Sequence, residues 1–250
     1  MTADLPEPFV IRERHHRVHN PFTEEKLAVL GRAIRLRPGD RLLDLASGSG
    51  EMLCTWARDH GVTGTGVDIS TAFLATARDR AAELGVADRV TFVHGDAAGH
   101  VAPDPVDVAA CVGATWIGGG VAGTIALLER SLRPGGLVLI GEPFWRKDPP
   151  DQATLEGCHA TKKEDFADLP GLVALFGELG WDLVEMVLAD EDSWDRYVAA
   201  QWLTVREWLD ANPDDVLAGE MRAELDRAPL DYVRYLRPYL GWGVFALRRR

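Results

Sequence analysis

The sequence is short of cysteine, of basic clusters and of long apolar runs. Its 250 residues hold only Cys54, Cys111 and Cys158, an odd number, far apart and in no CxxC spacing. That argues against a disulfide framework or a cysteine-built zinc site, and a reducing cytoplasm is the expected compartment. Lysine and arginine number 27 against 39 acids, a formal net charge of -12. No Lys/Arg stripe is present of the kind a nucleic-acid binder needs, and the terminal Arg248-Arg249-Arg250 reads as a short solvated end. The opening MTADLPEPFVIRERHHRVHN lacks the apolar region of a signal peptide, and no stretch has the length of a membrane span. Internal repeats and low-complexity linkers are also missing. What is present is a chain 46% hydrophobic, with ample core for independent folding.

Along the chain, short apolar runs alternate with helical patterns. Strands are expected over 41–45, 63–68, 89–94, 106–112 and 137–141, with helices between them. Ser70 is placed to cap a helix running to Leu84, and Arg133-Pro134-Gly135-Gly136 to stop the helix marked by Val121, Ile125, Leu128 and Leu132. Alternating strand and helix imply βαβ units and a parallel sheet. Further on come a helix from about Pro170, a strand over 181–189 and a final strand over 241–247. Between those last strands, Trp194, Tyr197, Val198, Gln201, Trp202, Val205, Trp208 and Leu209 recur at three and four, the mark of a long amphipathic helix. Asn212-Pro213 breaks it, and Leu217, Met221 and Leu225 begin another. The expected organisation is an N-terminal lid over 1–33 with one helix from about Thr23 to Ile34. A core follows over 34–189, then a helical insertion over 190–237 covering an acceptor site, and a closing strand over 238–250.

The first strand ends in LLDLASGSGE, from Leu42 to Glu51. The dinucleotide fingerprint G-x-G-x-x-G fails in both registers, which hold Ala46, Gly48 and Glu51, or Gly48, Gly50 and Leu53. No Gly-Lys-Ser/Thr follows, so a P-loop is excluded as well. A carboxylate at the following helix start, Glu51, would also repel a pyrophosphate. What stands there is Asp44-x-Ala46-x-Gly48-x-Gly50. Asp68 ends the second strand, Asp96 sits in His94-Gly95-Asp96-Ala97, Asp107 begins the fourth strand, and Arg133-Pro134-Gly135-Gly136 precedes the fifth.

In these features the sequence resembles class I S-adenosylmethionine-dependent methyltransferases, over roughly residues 38–141 and more loosely beyond. Ala46 stands where the family has glycine, so a left-handed backbone there would be strained. The resemblance implies a doubly wound α/β fold: a mostly parallel seven-stranded sheet, helices on both faces and an antiparallel last strand. It also implies S-adenosylmethionine as cofactor and S-adenosylhomocysteine as product. Asp44, Ala46, Ser47, Gly48 and Gly50 would line the methionyl part. Asp68 and Ile69 would hold the ribose, Asp96 and Ala97 the adenine, and Cys111 would border the cofactor.

Methyl transfer to a neutral, electron-rich nucleophile needs positioning more than acid–base chemistry. Trp116, Phe144 and Trp145, after the fourth and fifth strands, either rim the acceptor pocket or pack the core. Glu142 follows the fifth strand and either acts as a base or pairs with a neighbouring arginine. His159 lies in the next loop and is either a base or a surface histidine. His15, His16 and His19 have no carboxylate or cysteine at a recognisable ligand spacing, so no metal is expected and a water-excluding lid is the better reading. The expected partner is a small organic acceptor, with no nucleic acid and no membrane. The alternatives are a protein side-chain methyltransferase, an S-adenosylmethionine-binding sensor or partner subunit without turnover, or a nicotinamide oxidoreductase on a similar sheet. The sequence does not fix the oligomeric state.

Overall fold

A computed structural model describes residues 4–250. Seven strands form one sheet: β1 (Arg41–Leu45), β2 (Thr63–Asp68), β3 (Val90–His94), β4 (Val106–Val112), β5 (Leu132–Trp145), β6 (Trp181–Leu188) and β7 (Leu240–Arg249). Their order is β3-β2-β1-β4-β5-β7-β6. The first five strands are mutually parallel, and β7 runs antiparallel to both β5 and β6. Helices α1 (Glu7–Glu13) and α2 (Glu24–Ala33) precede the sheet. Between strands lie α3 (Glu51–His60), α4 (Thr71–Glu83), α5 (Val121–Glu129), α6 (Gln152–Gly157) and α7 (Leu169–Glu178). Helices α8 (Glu191–Ala211) and α9 (Ala218–Asp231) stand between β6 and β7.

The pleat sends alternate strand residues to opposite faces, and both faces are buried. Leu42, Val108 and Leu139 join one core with Leu30 of α2, Trp56 of α3 and Leu74 of α4. Leu43, Ala109 and Ile140 join the other, against Leu128 of α5 and Phe176 of α7. Each fully buried leucine of these layers contributes about 1.5–3 kcal/mol. A third, smaller cluster seats Ile11 of α1 on Val205, Trp208 and Leu209 of α8 and Met221 of α9.

The caps expected from sequence are in place. Thr23 Oγ1 accepts from Lys26 N at 3.2 Å, and Ser70 Oγ accepts from Phe73 N at 3.3 Å. Three elements differ from expectation. Helix α1 is an addition, a short helix that buries Ile11 and Glu13. Helix α6 occupies a stretch read as loop. Strand β5 starts at Leu132, earlier than expected, and runs on to Trp145. Its partners jump from Val106↔Leu132 to Val108↔Leu137. Residues 133–136 therefore bulge out of the ladder around Gly135, at φ +76°, and re-enter it. Asp107 fastens that bulge, accepting from Arg133 Nε and from Arg41 N.

Candidate active site

Strands β1 and β4 are neighbours although two strands separate them in the chain. Successive strands step away from that seam in opposite directions. This is the switch point where open α/β sheets bind ligands, beyond the carboxyl ends of the strands. A cavity of about 660 Å³ lies there. Its floor is the turn after β1, with Asp44, Ala46, Ser47 and Gly48. One side carries Asp68, Ile69, Asp96 and Ala97, and the other Val112, Ala114, Trp116 and Ile117. Its roof is the N-terminal segment, including Phe9, Arg17, His19, Asn20 and Phe22.

The turn is bent by three alternate left-handed positions, Ala46 at φ +63°, Gly48 at +53° and Gly50 at +71°. Ala46 pays roughly 1–2 kcal/mol for that conformation. The amides of Ala46 and Ser47 both donate to Val67 O, which ties the turn to β2. Gly48 N donates to Asp68 Oδ2 at 2.7 Å. Gly50 has a different task from the one expected. It is not in the cavity wall, and a Cβ there would stand 2.6 Å from the Phe92 ring and 2.9 Å from Ala77. Its bareness lets the start of α3 close on α4 and β3.

Three acids reach the cavity from three strand ends. Asp44 is buried, its Oδ1 has no hydrogen-bond partner, and burial followed by repulsion from Asp68 holds its pKa well above the ordinary range. Asp68 is also buried, and burial raises it too. Its Oδ1 accepts from Ser70 N at 2.8 Å, so each oxygen takes one backbone donor and keeps a free lone pair. Asp96 is exposed, with Oδ1 accepting from Ala98 N at 2.9 Å. Glu51 also reaches the wall but is neutralised by Arg80, which binds it at 2.8 and 2.9 Å.

A family model described as a methyltransferase domain matches residues 42–136. A SAM-dependent methyltransferase from Geobacter sulfurreducens, crystallised with S-adenosyl-L-homocysteine, is similar over 100% of both chains, at 65% identity and a TM-score of 0.98. The chain belongs to the SAM-dependent methyltransferases. Among its relatives, the uncharacterized protein YjhP of Escherichia coli K12 is 62% identical over 99% of this chain and 100% of its own length. The 27-O-demethylrifamycin SV methyltransferase of Amycolatopsis mediterranei is 30% identical over 79% of this chain and 76% of its own. The cofactor of this methyltransferase is therefore S-adenosylmethionine.

The wall suits that molecule. Buried polar atoms without a partner are costly, and Asp44 Oδ1 and Ser47 Oγ are both in that state beside the cavity. The cofactor's amine, ribose hydroxyls and adenine amine are hydrogen-bond donors, and its sulfonium is a cation. The acceptors and acids of the wall are their complement.

The methyltransferase does not bring every expected residue to the cavity. Trp116 is on the rim, 74% exposed. Phe144 and Trp145 are buried and absent from the wall. Phe144 packs on the α5–α7 face of the sheet, and Trp145 on the other. Trp145 Nε1 donates to Lys163 O at 2.8 Å. Cys111 is fully buried, and burial raises its thiol; Val112, Gly113 and Ala114 beyond it form the wall instead. Glu142 is buried away from the wall, with Oε2 accepting from Thr115 Oγ1 at 2.7 Å, and burial pushes it up to about 7. His159 is exposed, at φ +59°, with Arg12, Glu224, Arg227 and Asp231 as its charged neighbours. These belong to the α1–α9 side of the molecule. No residue of 190–237 lines the cavity; that stretch packs against α1 instead.

Sequence reading put His19 in a water-excluding lid but gave neither it nor Asn20 a contact at the site. His19 Nε2 is 3.0 Å from Ser49 Oγ, its ring packs on Phe73 at 4.1 Å, and burial lowers its pKa to about 4. Asn20 Nδ2 donates to Val112 O at 3.0 Å. Gly113 makes room for it, since a Cβ there would stand 2.1 Å from Asn20 Oδ1. The one signal was the placing of polar His19 and Asn20 between apolar Val18 and Phe22.

Proposed function

We propose that this methyltransferase carries a methyl group to a small organic acceptor seated against apolar walls of the cavity, by in-line displacement and mainly through positioning. The observation that carries this reading is the mixed lining of one cavity. Asp44, Asp68 and Asp96 line it together with apolar Phe22, Leu27, Met52, Val112 and Ile117, so one cavity offers acids to a cationic cofactor and apolar walls to an acceptor. In this reading Asp68 and Ile69 hold the ribose, and Asp96 and Ala97 the adenine. Asp44, Ala46, Ser47 and Gly48 hold the methionyl part. Bound there, S-adenosylmethionine supplies an electrophilic methyl on a sulfonium.

The chain's own contribution is to fix the two reactants in one geometry and keep water out. Good positioning is worth of order 7–11 kcal/mol of barrier. Residues 1–33 act as the lid, through the described part that roofs the cavity. Glu142 and His159, away from the wall, have no proton-transfer role in this reading. A relative named for a rifamycin acceptor supports a small organic substrate here. The three buried, unpaired cysteines support a reducing cytoplasmic setting. No helix among the described residues is long and apolar enough to cross a membrane.

The test is methyl-labelled S-adenosylmethionine offered with a panel of small hydroxyl, amine, thiol and carbon-acid compounds, and separately with cell protein. Label should enter a low-mass product. Ile117→Lys should abolish that turnover while S-adenosylhomocysteine binding stays within about twofold. Label found only in protein would establish side-chain methylation instead. Tight cofactor binding with no product from any acceptor would favour a sensor or partner subunit.

A further inference from the structure

The N-terminal segment is fastened over the cavity by a buried polar cluster that the methyl-transfer reading does not use. Glu13, at the end of α1, is 1% exposed. Its Oε1 accepts from Gln201 Nε2 at 2.7 Å and from Tyr197 Oη at 3.1 Å, both on α8. The same Tyr197 hydroxyl is 3.2 Å from His19 O, in the segment that roofs the cofactor turn. His16 Nε2 lies 3.0 Å from Tyr197 O. Its other nitrogen, Nδ1, is 3.3 Å from Glu13 Oε2, and both of those buried atoms are without a hydrogen bond.

Proton counting constrains this arrangement. A backbone carbonyl only accepts, so His16 Nε2 must carry hydrogen. Neutral His16 then turns the bare lone pair of Nδ1 toward Glu13. An ionised Glu13 would face it with a second lone pair, and two buried acceptors would be left against each other. One proton between Nδ1 and Oε2 satisfies both, whichever atom holds it.

We propose that Glu13 and His16 share one proton, and that this proton latches residues 14–20 onto α8 and so positions His19 and Asn20 over the cofactor turn. Glu13 and His16 are positioning residues, since neither lines the cavity. The latch rests on the cofactor-site reading and adds a regulation to it. Its effect travels through two short links. One is Tyr197 to His19 and then Ser49; the other is the neighbouring Asn20 to Val112.

The surroundings favour retention of the proton. Burial raises Glu13 up to about 7 and lowers His16. Both shifts oppose a separated charge pair in a dry site. The other charged or titratable groups facing the pair are Arg12 and His15 on the same segment, His19, Tyr197 on α8 and Glu224 on α9. Arg12 Nε is 3.8 Å from Glu13 Oε1, but Nη1 of Arg12 is engaged by Glu224 at 2.7 Å. Because the closed form holds a proton that the open form releases more readily, closure is favoured at lower pH. It is lost as pH rises through the pair's own ionisation.

The deciding experiment is calorimetric titration of the full chain with S-adenosylhomocysteine at about pH 6.5 and about pH 9, for wild type and Glu13→Gln. In the variant the amide oxygen keeps the bonds from Tyr197 and Gln201, and the amide N–H donates to His16 Nδ1 at every pH. Wild-type affinity should fall about tenfold at the higher pH, and the variant's should stay within about twofold. The same alkaline fall in both proteins, or a flat wild type, overturns the latch. Wild type that binds nothing at the lower pH removes the cofactor site itself, and the latch with it. A second readout needs no variant. Nitrogen-15 histidine spectra of the wild type should show His16 protonated at Nε2 throughout, with Nδ1 changing only in the alkaline step. A ring bare at Nε2 contradicts the proposal.

Discussion

Ala46 shows how much one residue can reveal about the turn it occupies. A residue with a side chain sits at φ +63° where two glycines nearby take the same left-handed conformation. Ala46→Gly removes that strain and should raise stability by about 0.5–1 kcal/mol, net of the added freedom of the unfolded chain. Thermal melting should register an increase of roughly 2 °C, and a decrease would show that the alanine methyl contributes packing instead. Glu142 gives the complementary case. Burial moves its ionisation from 4.5 up to about 7, so between those values the folded chain holds the extra proton. Its contribution to stability therefore falls as pH rises across that window. Glu142→Gln keeps an acceptor for Thr115 and removes the titration. Melting temperatures at about pH 5 and pH 8 should differ less in the variant than in wild type, and an unchanged difference would mean that Glu142 ionises freely. Asp44 and Asp68 could be read from sequence because strand ends of a parallel sheet converge on the site. Cys111, Phe144 and Trp145 could not. Strand β5 runs several residues past its expected end, which puts Phe144 and Trp145 into the pleat on opposite faces. Cys111 lies inside β4, whose bounds are as expected, so its place in the pleat alone turns it from the cavity.

Among the elements, the strands and, apart from the six-residue α6, the helices between them were readable, because their apolar periodicity repeats over enough residues to be distinct. Helix α1 was not. With Ile11 as its one apolar residue in the third core cluster, its reason to exist is supplied by α8 and α9, distant in sequence. The same distance explains why the 190–237 insertion was expected over the acceptor site. Its amphipathic period shows that a face is buried, not what buries it. In the fold that face supports the N-terminal segment, and the segment covers the cavity. Gly113→Ala tests this coupling at the level of the element. The new Cβ would meet Asn20 Oδ1, in a backbone at φ +89°. A loss of about 1–3 kcal/mol is expected, with faster amide hydrogen exchange concentrated in residues 14–22. Faster exchange spread evenly over the sheet instead would mean that the segment is not held there.

For the whole molecule, the strand order places acids from β1, β2 and the loop after β3 around one cavity, and it does so without any of them being near in sequence. Charge counts and absent fingerprints narrowed the class, and the resemblance to class I S-adenosylmethionine-dependent methyltransferases, carried by the turn after β1 and the acids beyond it, implied the cofactor. The apolar part of the cavity lining was not readable, because Phe22, Leu27, Met52, Val112 and Ile117 are scattered along the chain. The direct test of the central claim is calorimetry with S-adenosylhomocysteine on wild type and Asp68→Ala, with the melting temperature of each ligand-free protein as a control for folding. Wild type should bind, and the variant should lose about 2–4 kcal/mol of affinity while remaining folded, because two hydroxyl donors lose a charged acceptor. A folded Asp68→Ala that binds as tightly as wild type would contradict the placement of the cofactor at this switch point.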